Sequence, residues 1–310
     1  MKIVFFGTSE VGLPILKVLS EVHEIVQIVT SPDSKVGRKQ EIQQTPIAEF
    51  GLTEKIPISK PAKVKNNPEF IEFLKTLNAD IFVVVSYGKI LPKELLEVSL
   101  LKTVNVHFSL LPKYRGPAPI QFALLNNEKI TGTTIFILDE LVDHGPVLAM
   151  EKLEIQPDDT FTTLAVKLSE VSAKLIIEVL PKYQSSTIIP QEQNHEDATK
   201  TNMIQKEDGQ VNWEEETAQQ IYNKFRAYSM WPGIWTEYKG QVLKILSCKP
   251  ISLAEQPEKI HELTKDVIPC AENTYLKLID VQLAGKNKMF MKDFLNGHPN
   301  FKLEDFEKSK

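Results

Sequence analysis

Short apolar runs alternate with stretches of helical period through the first half of the chain, and this alternation restricts the fold more than any other feature. KIVFFG at 2–7 has no polar face, which predicts a strand buried on both sides. A helix is expected at 14–22, with Leu16 and Leu19 on one side, and a second strand at 24–31. Pro68 stands at a first helical position, and Phe70, Phe73, Leu74 and Leu77 then recur at helical spacing through 68–78. Strands are expected at 80–86, 104–108 and 132–138, with a helix at 119–126. Asp158 or Asp159 is expected to cap a helix running to about Val179, whose inner face carries Leu164, Leu168, Val171, Leu175 and Val179. Strand–helix alternation of this kind predicts an α/β domain with a mostly parallel sheet covered on both faces.

The composition then shifts. Residues 181–206 are polar, with two prolines and no sustained period, which predicts an interdomain linker at 184–206. Beyond it, IWTEYKG, VLKILSCKPI, DVIPC and TYLKLIDVQLAGKNKM are short strand-like runs separated by turns. They predict a small β-barrel or sandwich. The expected domains are therefore 1–183 and 207–310, and 310 residues are enough for two cores.

Composition excludes several classes. Cys248 and Cys270 make neither a zinc cluster nor a disulfide scaffold, and read as thiols in a reducing compartment. The N-terminal apolar run meets Gly7, Ser9 and Glu10 too soon for a secretion signal, and no stretch approaches the roughly 20 apolar residues of a membrane span. A cytoplasmic protein is expected. The six histidines show no metal-ligand spacing, so no metal is expected. A net charge of −5 does not mark the whole chain as a nucleic-acid binder, although a local basic strip acts independently of net charge. Gly7 and Gly12 follow the first strand, but the G-x-G-x-x-G fingerprint is absent.

The candidate chemistry lies at the end of one strand. In VNVHF the two-residue period puts Asn105 and His107 on one face, with Val104, Val106 and Phe108 on the other. Taken alone, an N-x-H pair is more simply two satisfied polar groups near a strand end. A loop dense in proline follows at 109–119, at the end of a strand, where open α/β sheets bind ligands. The next strand runs into Asp139, Glu140 and Asp143, with Gly145 and Pro146 breaking the backbone. Spacing alone does not bring Asp143 to His107, and a solvated acidic turn remains an alternative. An amide, an imidazole and a carboxylate would suit acyl transfer to an amine: the amide donates to an oxyanion, the imidazole relays a proton, and the carboxylate orients the imidazole. No serine or cysteine nucleophile with a paired base is evident, which favours direct transfer.

NVHFSLLPKYRGPAPIQ, followed by a turn of the form D-E-x-x-D-x-G-P, resembles the folate-dependent formyltransferases. The resemblance implies a Rossmann-like catalytic domain with Asn105, His107 and Asp143 as catalytic residues. It implies 10-formyltetrahydrofolate as formyl donor, held by Ser109, Leu110, Leu111 and Pro112, by Tyr87, Gly88, Ile90 and Leu91, and by Leu138 and Asp139. His144 stands where threonine is common in the family, and no role is assigned to it.

Other segments bear on the acceptor. TSPDSKVGRKQEIQQTPIAEFG (30–51) is similar to a long loop in family members that formylate initiator methionyl-tRNA, and implies phosphate contacts from Lys35, Arg38 and Lys39. KEDGQVNW, FRAYSMWPGIW, VQLAGKNKM and DFLNGHP resemble the C-terminal domain of those members in order and spacing, which implies an OB-like barrel that binds tRNA. No protein partner is implied. Residues 206–310 hold 15 Lys or Arg against 16 Asp or Glu, so binding there needs a one-sided arrangement, with Lys244, Lys286 and Lys288 as candidates. Trp213, Trp231 and Trp235 read first as core residues. The alternative acceptor is a small amine such as an amino sugar.

Overall fold

The computed structural model describes residues 1–36, 40–251, 264–302 and 305–306. In chain order the elements are β1 Lys2–Gly7, α1 Leu13–Val22, β2 Glu24–Val29, β3 Ser34–Val36, β4 Glu41–Gln43, α2 Pro46–Thr53, β5 Ile58–Ser59, α3 Pro68–Thr76, β6 Ile81–Val85, α4 Lys93–Leu96, β7 Thr103–His107, α5 Pro119–Leu125, β8 Ile130–Ile137, β9 Val147–Glu154 and α6 Phe161–Gln184. Then follow α7 Ala218–Ala227, β10 Ile234–Tyr238, β11 Gln241–Ile251, β12 Val267–Cys270, β13 Thr274–Leu283, β14 Met289–Phe290 and α8 Met291–Gly297.

By packing, the chain forms two units. The first holds residues 1–119, 129–155 and 164–202. Its seven-stranded sheet has the order β5-β2-β1-β6-β7-β8-β9, parallel from β5 through β7 and antiparallel at β7–β8 and β8–β9. The central strands carry the signature read from sequence: Ile3 to Phe6 on β1 and Ile81 to Phe82 on β6 have no exposed surface, because helices cover both faces. The antiparallel edge depends on pairing register that no local pattern encodes. Helix starts are chemically marked. Asn67 Oδ1 accepts from the Phe70 N–H at 3.2 Å with Pro68 next in line, and Thr45 Oγ1 accepts from the Ala48 N–H at 3.1 Å ahead of α2. Each such cap contributes about 1 kcal/mol.

The expected cap of α6 shifts by one or two residues. Asp159 spends its carboxylate on the Gln156 N–H and the Thr163 hydroxyl, while Thr160 Oγ1 accepts from the Thr163 N–H. The stretch 184–206 also differs from a free linker. It begins on the last residue of α6, and residues up to 202 pack into the first unit.

The second unit holds residues 120–128, 156–163 and 203–310. Its five-stranded sheet has the order β10-β11-β13-β12, with β14 beside β13, and every pairing is antiparallel. This is a small β-domain of the OB-like class expected from the turn-separated runs. One cross-strand row, Ile234, Ile245 and Val281, is buried. The adjacent row, Trp235, Lys244 and Gln282, lies on the opposite face. Helix α7 opens with a capping box between Thr217 and Gln220. Arg226 is buried: its guanidinium donates to the Asp159 carbonyl and Asn223 Oδ1 and lies over the Tyr222 ring, so it serves the fold of this unit. No helix among the described residues is long and apolar enough to cross a membrane.

Candidate active site

Strand β7 ends at His107, and the register pairs His107 with Thr134 and Asn105 with Phe136 on β8. Asn105 is half-buried, and His107 is 6% exposed. His107 Nε2 lies 2.9 Å from the Tyr114 carbonyl oxygen. A carbonyl only accepts, so this contact requires the proton on Nε2 and leaves Nδ1 with a lone pair in the neutral ring. Nδ1 faces Asp143 Oδ2 at 3.6 Å. The same Oδ2 accepts the Gly116 N–H at 2.7 Å.

The two loops that supply these partners are tightly specified. Gly116 adopts φ +117°, and a Cβ there would meet the Thr201 hydroxyl and carbonyl. Tyr114 and Asp143 adopt φ of +61° and +48°, a region ordinary side chains enter rarely. A Cβ on Gly145 would collide with the Ile137 carbonyl. Loop 109–118 also contains a cis Leu111–Pro112 bond.

The residues assigned to the donor fall into two environments. Tyr87 and Leu91 are buried in the core cluster of β1 and β6, and Leu111 packs with Phe136 and Val147. Leu138 touches both clusters. Leu110 and Pro112 are half-buried, whereas Gly88 and Ile90 are exposed. Ser109 is fully buried: its hydroxyl donates to the Lys113 carbonyl at 2.6 Å, and its carbonyl accepts from Thr134 Oγ1 at 2.7 Å. Burial pushes the Tyr87 phenol up to about 12, and its hydroxyl has no hydrogen-bond partner. Lys89 Nζ ties this loop to the Pro61 and Ala62 carbonyls. Asp139 Oδ2 meets His144 Nδ1 at 2.7 Å, and the His144 ring stacks on His195 with centroids 4.0 Å apart.

A cavity of about 240 Å³ is lined by Thr8, Ser34, Gln43, Gln44, Thr45 and Pro46. Thr8 follows β1 and donates to the Tyr87 carbonyl after β6, so it marks the point where the strand order reverses. Lys35 is exposed on β3 beside this cavity; Arg38 and Lys39 lie outside the described residues. In the second unit Lys244 and Lys286 are exposed, and Lys288 pairs with Asp280 at 3.0 Å. Trp213 donates to Thr236 Oγ1 and stacks on Phe306, as a core residue would, and Trp235 is half-buried; Trp231 is 55% exposed, unlike a core residue. Among the described residues no group of three or more His, Cys, Asp or Glu is arranged to hold a metal.

Sequence reasoning missed the groups that hold the loops. The Tyr114 carbonyl and the Gly116 N–H are backbone atoms, which leave no signature in residue type. Gln193, Thr199 and Thr201 bond to those loops across long sequence separations, as in Tyr114 N–H to Thr199 Oγ1 at 2.8 Å. Chemically, the site can take up a proton on an imidazole backed by a carboxylate, beside a strand-borne amide able to donate to an oxyanion.

A family model described as formyl transferase matches residues 1–180, and one described as formyl transferase, C-terminal domain, matches 203–299. The chain is 42% identical to the methionyl-tRNA formyltransferase of Caldicellulosiruptor saccharolyticus, over 96% of this chain and 97% of that one. It is 39% identical to that of Caldanaerobacter subterraneus subsp. tengcongensis, again over 96% and 97%. Its fold resembles the N-formyltransferase of Helicobacter canadensis solved with folinic acid and dTDP-3-aminofucose, with a TM-score of 0.65 at 17% identity over 90% of this chain and 98% of that one. The chain therefore belongs to the methionyl-tRNA formyltransferases, within the formyl transferase family.

Proposed function

We propose that Asn105, His107 and Asp143 move the formyl group of 10-formyltetrahydrofolate directly onto the α-amino group of initiator methionyl-tRNA in the cytoplasm. The observation that carries this reading is the fixed tautomer of His107: Nε2 is committed to the Tyr114 carbonyl, so Nδ1 is the basic atom, 3.6 Å from the Asp143 carboxylate. The amine of methionyl-tRNA neighbours an ester, which lowers its pKa and leaves more of it neutral near pH 7. Its nitrogen attacks the formyl carbon and a tetrahedral intermediate forms. Asn105 donates to the oxyanion. His107 takes the proton the amine sheds, and Asp143 stabilises the imidazolium. The proton then returns to N10 of the folate as the carbon–N10 bond breaks, so no proton is left over.

The donor reading is supported by the packing of Tyr87 and Leu91 in one apolar cluster and Leu111 in another, with Leu138 against both. The folinic acid of the Helicobacter canadensis structure is a formylated tetrahydrofolate, which fits the same donor class. The acceptor reading draws on Lys35 and on the row of Trp235, Lys244 and Gln282, where charge and an aromatic share one face. In this reading residues 1–183 catalyse and 207–310 bind tRNA.

Purified protein incubated with 10-formyltetrahydrofolate and methionyl-tRNA is expected to yield formylmethionyl-tRNA, and to leave a nucleotide-linked amino sugar unmodified. No formylmethionyl-tRNA above the enzyme-free control, or faster formylation of the sugar, contradicts the proposal.

A further inference from the structure

The chain that follows α6 joins the two loops of the site. Gln191 exchanges backbone hydrogen bonds with Val147. Gln193 is buried, and its amide nitrogen donates to the carbonyls of Asp143 at 3.0 Å and Gly145 at 2.8 Å. Its amide oxygen accepts from Arg115 Nη2 at 2.7 Å and Nε at 3.2 Å. This orientation is forced: carbonyls only accept and a guanidinium only donates, so reversing the amide would lose all four contacts. Arg115 is itself buried, and its backbone is held by Thr199 and Thr201. Its neighbour Gly116 supplies the N–H that binds the Asp143 carboxylate. One side chain therefore spans the loop that holds the carboxylate and the turn that bears it.

We infer that Gln193 is a positioning residue for formyl transfer, setting Asp143 against His107 through the Asp143 backbone without itself meeting substrate. This rests on the reading that Asp143 and His107 carry the reaction. Asp143 at φ +48° has little intrinsic preference for its conformation, so its neighbours must impose it. The only carbonyl-directed side-chain donor on this turn among the described residues is the Gln193 amide. Without it the turn keeps its side-chain contact to Gly116 and the Ile137–Pro146 backbone bond but loses both side-chain bonds to its main chain at Asp143 and Gly145, and small displacements of a catalytic group are kinetically large.

Gln193→Ala removes the anchor. Gln193→Glu keeps the size and the Arg115 contact, which preserves the fold, but sets a carboxylate oxygen against two carbonyls. The intact protein is assayed for kcat and for KM toward methionyl-tRNA and 10-formyltetrahydrofolate, in the native background and with Asp143→Asn. Both Gln193 variants are expected to lower kcat on the order of 10- to 100-fold, with each KM within about twofold. Adding Gln193→Ala to Asp143→Asn is expected to cause no further loss, because the residue acts through a carboxylate already gone. Gln193 variants with native kcat beside an impaired Asp143→Asn overturn the inference, as do losses that multiply in the double variant. Native activity of Asp143→Asn overturns instead the catalytic reading on which it stands.

Discussion

The end of β7 and the open face of the second unit's sheet are both polar, but they are built in opposite ways. At the end of β7, His107 and Asp143 are buried, Asp143 sits on backbone of positive φ, and its main chain is held by Gln193, 50 residues away in sequence. On the second sheet, Trp235, Lys244 and Gln282 occupy successive positions across regular antiparallel strands, with the lysine in solvent. Proton transfer demands groups fixed to a fraction of an ångström and removed from water. Attraction of a phosphate backbone demands only exposed charge on a firm surface. The first design tolerates almost no displacement, and the second tolerates a great deal.

The contrast breaks first at Gly116. Gly116→Ala forces a Cβ against Thr201 and moves the N–H that holds Asp143. Its kcat is expected to fall on the order of 100-fold with KM for methionyl-tRNA little changed. A variant with native kcat would show that the Gly116 contact is dispensable. The charge-reversing pair Lys35→Glu and Lys244→Glu is expected to act differently, raising KM for methionyl-tRNA roughly 3- to 10-fold per site at low salt while leaving kcat at saturating RNA intact. Salt titration checks this: the difference from the native enzyme should shrink as ionic strength rises, and a salt-independent effect would count against a phosphate contact.

The smallest effect is on stability at high pH. Burial pushes the Cys248 and Cys270 thiols up to about 12 from an ordinary 9.0. The unfolded chain ionises these thiols first, so above pH 9 it binds fewer protons than the folded one, and stability falls as pH climbs toward 12. Buried Tyr87 and Tyr228, also raised to about 12, add to the fall above pH 10. Thermal melts across this range should show the decline, and Cys248→Ala with Cys270→Ala should flatten it. An unchanged slope would remove the thiols as its source.

The same contrast explains how far the sequence could be read. Central strands such as β1 and β6, and helices such as α3 with Pro68 at its start, announce themselves through apolar runs, period and helix-start residues. Those are local signals. Asn105 and His107 share a face by strand geometry alone, but the approach of Asp143 to His107 depends on where two loops fold, and spacing carries no record of it. The family resemblance supplied Asp143. Neither route found Gln193, because a polar segment with two prolines has the composition of a linker whether or not its side chains are bonded. Of the antiparallel strands, β8 was legible at 132–138 and β9 was not expected, and the direction of β8 was not legible, since β-propensity is the same for either pairing.

The central claim is that the His107 imidazole, with its proton on Nε2 and its base at Nδ1, carries the proton of formyl transfer. The most direct test is the single-turnover rate of formylmethionyl-tRNA formation, with enzyme in excess over methionyl-tRNA, for the native protein and His107→Ala across pH 5 to 9. The account predicts a rate for His107→Ala lower by about 10²- to 10⁴-fold, with a pH profile that differs from the native one. A His107→Ala protein that transfers the formyl group at the native rate, or that keeps the native pH profile, would contradict it.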